Sequence, residues 1–152
     1  MKIQKVDNIE DAVKCDKLLT KLIANEALYD KNLRKDYKVN NYFENLYEKK
    51  HNVLFIAKDD EDTEIGYAYC KITTVNDGPQ IEHVALLDGL YINEECRNKG
   101  VATKLIEECK KWAETLGAKI FELNVISENK SALNLYKKLG FSEFEKKMRV
   151  GL

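Results

Sequence analysis

Arg97, Asn98 and Lys99 stand directly before Gly100 in the stretch NEECRNKGVATKLI, residues 93–106. An apolar run precedes them and an amphipathic run follows, so the four residues form a basic turn that opens a helix. The first N–H groups of a helix have no intrahelical acceptor, and the aligned peptide dipoles favour negative charge there. Such a turn can hold an anion, and Gly100 and Ala102 keep side-chain bulk away from approaching phosphate oxygens. Nothing matches G-x-x-x-x-G-K-[ST], and one glycine does not supply G-x-G-x-x-G, which argues against nucleoside triphosphates and NAD.

Other reactive side chains are scattered. Cys15, Cys70, Cys96 and Cys109 form no C-x-x-C pair, and His51 and His83 lie apart from them, so no zinc site or redox pair is expected. Free thiols in a reducing cytosol are the expectation. The chain has 152 residues, 44% hydrophobic, and a formal net charge of -1. That length fits one domain covering 1–152 with a core of its own. Balanced charge disfavours nucleic acid and anionic membranes as partners. No apolar run approaches spanning length and Met1 to Glu10 is charged, so a soluble, cytoplasmic protein is expected.

Periodicity supplies the elements that must position these residues. Lys2 to Val6 reads as a strand. Asp7 or Asn8 then caps a helix reaching about Tyr29, with Ile9, Ala12, Val13, Leu18, Leu19 and Leu22 facing the core. A second helix is expected over Lys35 to Lys50. Val53 to Lys58 and Ile65 to Thr74 read as a hairpin across the solvated acidic turn DDEDTE. The turn Asn76-Asp77-Gly78-Pro79 leads to a strand over Ile81 to Ile92. Gly100 to Leu116 reads as a helix, Ala118 to Val125 as a strand, Asn129 to Leu139 as a helix and Phe141 to Val150 as a last strand. The order βααβββαβαβ joins an antiparallel meander to a parallel βαβ crossover, an α+β fold with a mixed sheet.

Two signatures carry a resemblance. The run R97-N-K-G100-V-A102 follows the pattern [QR]-x-x-G-x-[GA], and N129-K-S-A132-L-N-L-Y136-K-K-L-G140-F141 follows N-x-x-A-x-x-x-Y-x-x-x-G-F. In this order and spacing, within residues 90–141, they resemble the GNAT superfamily of N-acetyltransferases. The resemblance implies that acetyl-CoA is the co-substrate, with no metal, and that a primary amine of a small molecule or a protein accepts the acetyl group by direct attack. A CoA-binding sensor of the same fold without turnover is the alternative.

The resemblance also implies residue roles. The strand ending Leu90-Tyr91-Ile92 and the strand around Phe121 to Val125 splay apart, and pantetheine bonds to the exposed edge as an added strand does. The pyrophosphate docks on backbone N–H groups among Asn98, Lys99, Gly100, Val101, Ala102 and Thr103, with Arg97 and Lys99 adding charge. Backbone near Tyr91 and Ile92 stabilises the developing oxyanion, and Tyr136 donates to the departing thiolate, unless it only packs with Ala132, Leu135 and Leu139. Asn129 caps the last helix and contacts the cofactor. A neutral amine is needed for attack, and Asp88 is the first candidate base, with Glu82, Glu122 and His83 as alternatives. Tyr29, Tyr37, Tyr42, Phe43 and Tyr47 either cage a cationic acceptor or pack a helix. A Cys70 or Cys96 acyl-enzyme is disfavoured. The short run after Phe141 leaves either a short last strand, an open acceptor pocket or a second subunit covering it, so a homodimer is a candidate assembly.

Overall fold

The computed structural model describes residues 1–74 and 78–152. Asn76 and Asp77 of the expected turn lie outside the described residues. Strand β1 (Lys2–Lys5) leads into helix α1 (Ile9–Glu26), followed by strands β2 (Asn52–Lys58), β3 (Glu64–Ile72) and β4 (His83–Ile92). Helix α2 (Val101–Thr115), strand β5 (Ala118–Leu123) and helix α3 (Lys130–Lys138) complete the order. The sheet runs β1-β2-β3-β4-β5, antiparallel except for the parallel β4–β5 pair. This is the mixed α+β fold that the strand and helix periods imply.

Both faces of the sheet are covered, which is why VLFIA in β2 reads as a continuous apolar run rather than an alternation. Val53, Phe55 and Ala57 face α2 with Ala68, Cys70, Ala85 and Leu87, and meet Val101, Leu105, Ile106 and Cys109. Leu54 and Ile56 point the other way and join Tyr67, Tyr69 and Tyr91 under Ala12, Cys15 and Leu18 of α1. The Asn8 side chain caps α1 by accepting from the Asp11 N–H at 2.9 Å. The Asn8 cap and the helical period therefore place α1, and the period places α2.

Three expectations change. Ile9 and Val13 are exposed, at 52% and 38%, because at 3.6 residues per turn they fall beside the stripe of Ala12, Cys15, Leu19 and Leu22. No helix fills Lys35 to Lys50; that stretch holds turns and one 3-10 turn at Phe43–Asn45. Asn41 adopts a left-handed φ of 56°, and the carboxylate of buried Asp16 accepts from the N–H groups of Tyr42 and Phe43 at 3.2 and 3.0 Å. A tertiary acceptor thus takes donors a helix would have used. Finally, Phe141 to Val150 forms no strand. Its apolar residues Phe144, Met148 and Val150 are exposed, and Arg149 ties the segment to Asp30 through two bonds of 2.9 and 3.0 Å.

Candidate active site

Residue types in β4 break its symmetry with both neighbours. Against β3, Tyr69 pairs with Gly89 and Cys70 with Leu87, so Asp88 is an extra residue in a β-bulge. A bulge re-aims side chains, and here it brings Asp88 to Lys71, whose ammonium donates to the carboxylate at 2.8 Å. Gly89 is required at this place, because a Cβ there would stand 2.7 Å from the Tyr67 hydroxyl oxygen. Against β5, pairing ends at Leu87↔Leu123. Asp88, Gly89, Leu90, Tyr91 and Ile92 continue without a β5 partner, and the backbone edge facing β5 is open over this stretch. The two strands part into a notch.

One wall of the notch is the turn into α2. Asn98 and Gly100 have left-handed φ of 60° and 79°, and Lys104 donates the first intrahelical bond, to the Gly100 carbonyl at 3.1 Å. The N–H groups of Val101, Ala102 and Thr103 precede that bond, and no side chain caps the helix. Helices α1 and α3 differ, since Asn8 and Asn129 cap them. A Cβ on Gly100 would meet no atom within 4 Å, so the space over the turn is open. Arg97 does not project into it: its Nε donates to the Ile92 carbonyl at 3.1 Å and its guanidinium lies 5.6 Å from the Tyr91 ring centroid. That contact fixes the turn to the end of β4.

Helix α3 follows β5 in the chain. The Asn129 side chain accepts from the Ala132 N–H at 3.2 Å. Tyr136 packs on the α2-side core with its ring edge-on to Phe141, 5.8 Å between centroids. Burial, and secondarily the charge of Glu26, push its phenol up to about 12. The group therefore holds its proton throughout the neutral range.

The remaining candidates separate. His83 pairs with Ala118 at the start of β4 and Glu82 precedes the strand, about 16 Å along the strand from Asp88 for His83. Glu122 is exposed and opposite Leu86, two positions before Asp88. Cys70 of β3 and Cys109 of α2 are buried side by side in the core between them. Among the aromatics, Phe43 is core, Tyr47 packs against it, and Tyr42 stands edge-on to Tyr69 at 6.3 Å. Tyr29 and Tyr37 are exposed. Sequence reasoning missed Lys71, Tyr67, Tyr69 and Glu26. The Asp88-Gly89 pair inside a strand was a legible sign of a bulge, and Glu26 is a charged residue at the end of an otherwise apolar helix stripe.

Comparison with known proteins agrees with this geometry. The profile of the acetyltransferase (GNAT) family matches residues 19–141. An uncharacterized N-acetyltransferase of Methanocaldococcus jannaschii is 30% identical over 104 residues, 68% of this chain and 45% of that protein. An aminoglycoside N(6')-acetyltransferase type 1 of Acinetobacter genomosp. 13 is 32% identical over 69 residues, 45% of this chain and 47% of its own. The chain thus matches about half the length of these curated relatives. A mutant of the BH1408 protein of Bacillus halodurans superposes with TM-score 0.89 at 16% identity, over 100% of both chains. AAC(6')-Iy, in complex with the bisubstrate analogue CoA-S-monomethyl-acetylneamine, superposes with TM-score 0.75 at 23% identity, over 99% of this chain and 97% of that one. With a profile match spanning most of its length and a sheet that parts at Leu87 beside an uncapped helix, the chain belongs to the GNAT family of acetyltransferases.

Proposed function

We propose that the protein moves an acetyl group from acetyl-CoA to a primary amine of a small molecule by direct attack, in the notch between β4 and β5. The observation that carries this reading is the end of β4–β5 pairing at Leu87↔Leu123 beside three N–H groups that no side chain caps. An amide chain such as pantetheine bonds to the open edge of Leu90, Tyr91 and Ile92 as a strand would. The pyrophosphate takes the N–H groups of the turn from Asn98 to Thr103, with Lys99 beside them and Arg97 bracing the turn. Asn129, while capping α3, faces the same ligand.

The acceptor enters from the α1 side. There Asp88 draws the ammonium in, next to Tyr42 and Tyr69. Attack places negative charge on the acetyl oxygen, which free N–H groups near Tyr91 and Ile92 stabilise. As the C–S bond breaks, Tyr136 donates a hydrogen bond to the thiolate. Full transfer from a phenol near 12 to a thiolate of pKa ~8.5 is uphill by roughly 5 kcal/mol, so the donated bond, followed by relay of the amine's second proton, is the route. A turnover-competent notch is favoured over a silent sensor because the chain carries two candidate proton-transfer groups, the Asp88 carboxylate and the Tyr136 phenol. Aminoglycoside acetyltransferases among the relatives support a small polyamine-like acceptor, and the exposed segment 142–152 supports a homodimer in which a second copy covers it.

The test is thiol release from acetyl-CoA across aminoglycosides, polyamines, amino acids and peptide N-termini. A small cationic amine is expected to give saturable release with a matching acetylated product. Acetyl-CoA binding without release for any amine would favour the sensor instead.

A further inference from the structure

The core-facing stripe of α1 runs through Ala12, Cys15, Leu19 and Leu22, and the next position on that stripe is Glu26. It is the last residue of the helix and half-buried. Among the described residues its carboxylate has no hydrogen bond and no ion pair. Its charged neighbours are otherwise engaged: Asp30 is held by Arg149 at 2.9 and 3.0 Å, and Asp88 is held by Lys71 at 2.8 Å. A second polar group nearby is also unsatisfied. The Tyr67 side chain is 0% exposed and its hydroxyl has no partner, though it lies directly under Gly89, the neighbour of Asp88.

A half-buried, unpaired carboxylate at the end of an apolar stripe costs stability, and such violations are retained at functional sites. Resting on the acetyltransferase reading above, we propose that Glu26, rather than Asp88, takes the proton from the acceptor ammonium. One Asp88 oxygen is already committed to a lysine, whereas both Glu26 oxygens are free to receive. The step balances: the ammonium gives one proton to Glu26, the neutral nitrogen bonds to the thioester carbon, the C–S pair leaves on sulfur, and the second nitrogen proton reaches the thiolate by way of Tyr136. Glu26 then releases its proton to solvent.

Electrostatics agree. Burial first, then the charges of Asp30 and Asp88, raise the Glu26 carboxyl above its ordinary value, while Glu26 contributes to raising Tyr136 on α3 and Tyr67 on β3. A raised base is better matched to a proton held at neutral pH. The sign for stability follows. A carboxyl raised in the fold stabilises it only when protonated, and that contribution is lost as pH rises from 4.5 through the folded value. Neutralising Glu26 should therefore leave melting at pH 7 equal or higher.

The experiment compares Glu26→Gln, Glu26→Asp and Asp88→Asn with wild type on the best amine found, measuring kcat/KM against pH, acetyl-CoA affinity and melting. Glu26→Gln is expected to bind acetyl-CoA normally, melt no lower, and lose about 10²-fold or more of kcat/KM at neutral pH. Part of that loss should return as pH approaches the amine's own pKa of about 10. Glu26→Asp should restore part of the rate, and Asp88→Asn should mainly raise KM. A Glu26→Gln rate and pH profile like wild type, or a loss constant with pH, overturns the proposal while leaving acetyl transfer intact. A wild type that releases no thiol with any amine contradicts the reading beneath it and this assignment together.

Discussion

At the scale of single residues, the site divides its labour by environment. The proposed donor, Tyr136, is buried and its phenol is raised to about 12. Tyr136→Phe should keep acetyl-CoA affinity and lose about 10²-fold in turnover, measured under conditions where chemistry limits the rate. In the wild type this group should produce no alkaline fall in rate below about pH 11, since it titrates above the assay range. A variant with full turnover would return Tyr136 to packing against Phe141. Arg97 and Asp88 were both legible as charged site residues, yet their partners were not. The Ile92 carbonyl and the Lys71 ammonium are brought to them by a turn and a bulge, and a linear pattern does not encode where a bulged side chain points.

At the scale of elements, α1 is pinned to the sheet by a buried charge pair. Asp11 is 3% exposed and Lys58 is 6% exposed, their side chains 2.9 Å apart, with Gln4 also donating to Asp11 at 2.9 Å. Burial opposes the Asp11 charge, but bonds from Lys58 and Asn8 outweigh it and hold the carboxyl below its usual range. Its stabilisation is therefore present above the ordinary carboxylate value and is lost as pH falls through the lower folded value. Lys58→Met should cost up to about 3–5 kcal/mol in urea unfolding, because it removes the nearest cation from a buried carboxylate and leaves Lys14 at 3.5 Å. The double variant Asp11→Leu with Lys58→Met should recover much of the loss, and equal losses in both would mean the pair is not what holds α1. Strands, the two long helices and the α2 turn were readable because period, caps and glycine agree there. The stretch from Lys35 to Lys50 was not, because Asp16, far away in sequence, supplies its acceptors. The strand expected after Phe141 carries apolar Phe144, Met148 and Val150 with Lys146 interrupting the alternation, and no strand among the described residues pairs with it.

At the scale of the molecule, the proposed homodimer sets a second copy against the exposed segment 142–152, next to a sheet whose β5 edge has no further strand among the described residues. Light scattering coupled to gel filtration should report a dimer, and removal of residues 142–152 a monomer; a monomeric full chain would leave the acceptor side open instead. Net charge of -1 gives no global pull on an anionic ligand, so affinity must come from the local turn at Gly100. Calorimetric titration of acetyl-CoA into wild type and Gly100→Val tests this most directly. One site per chain is expected in the wild type. A Gly100→Val variant that still melts cooperatively should lose binding, because valine strains a φ of 79° and fills the space over the three free N–H groups. Equal affinity in the two folded proteins, or no binding by the wild type, would contradict it.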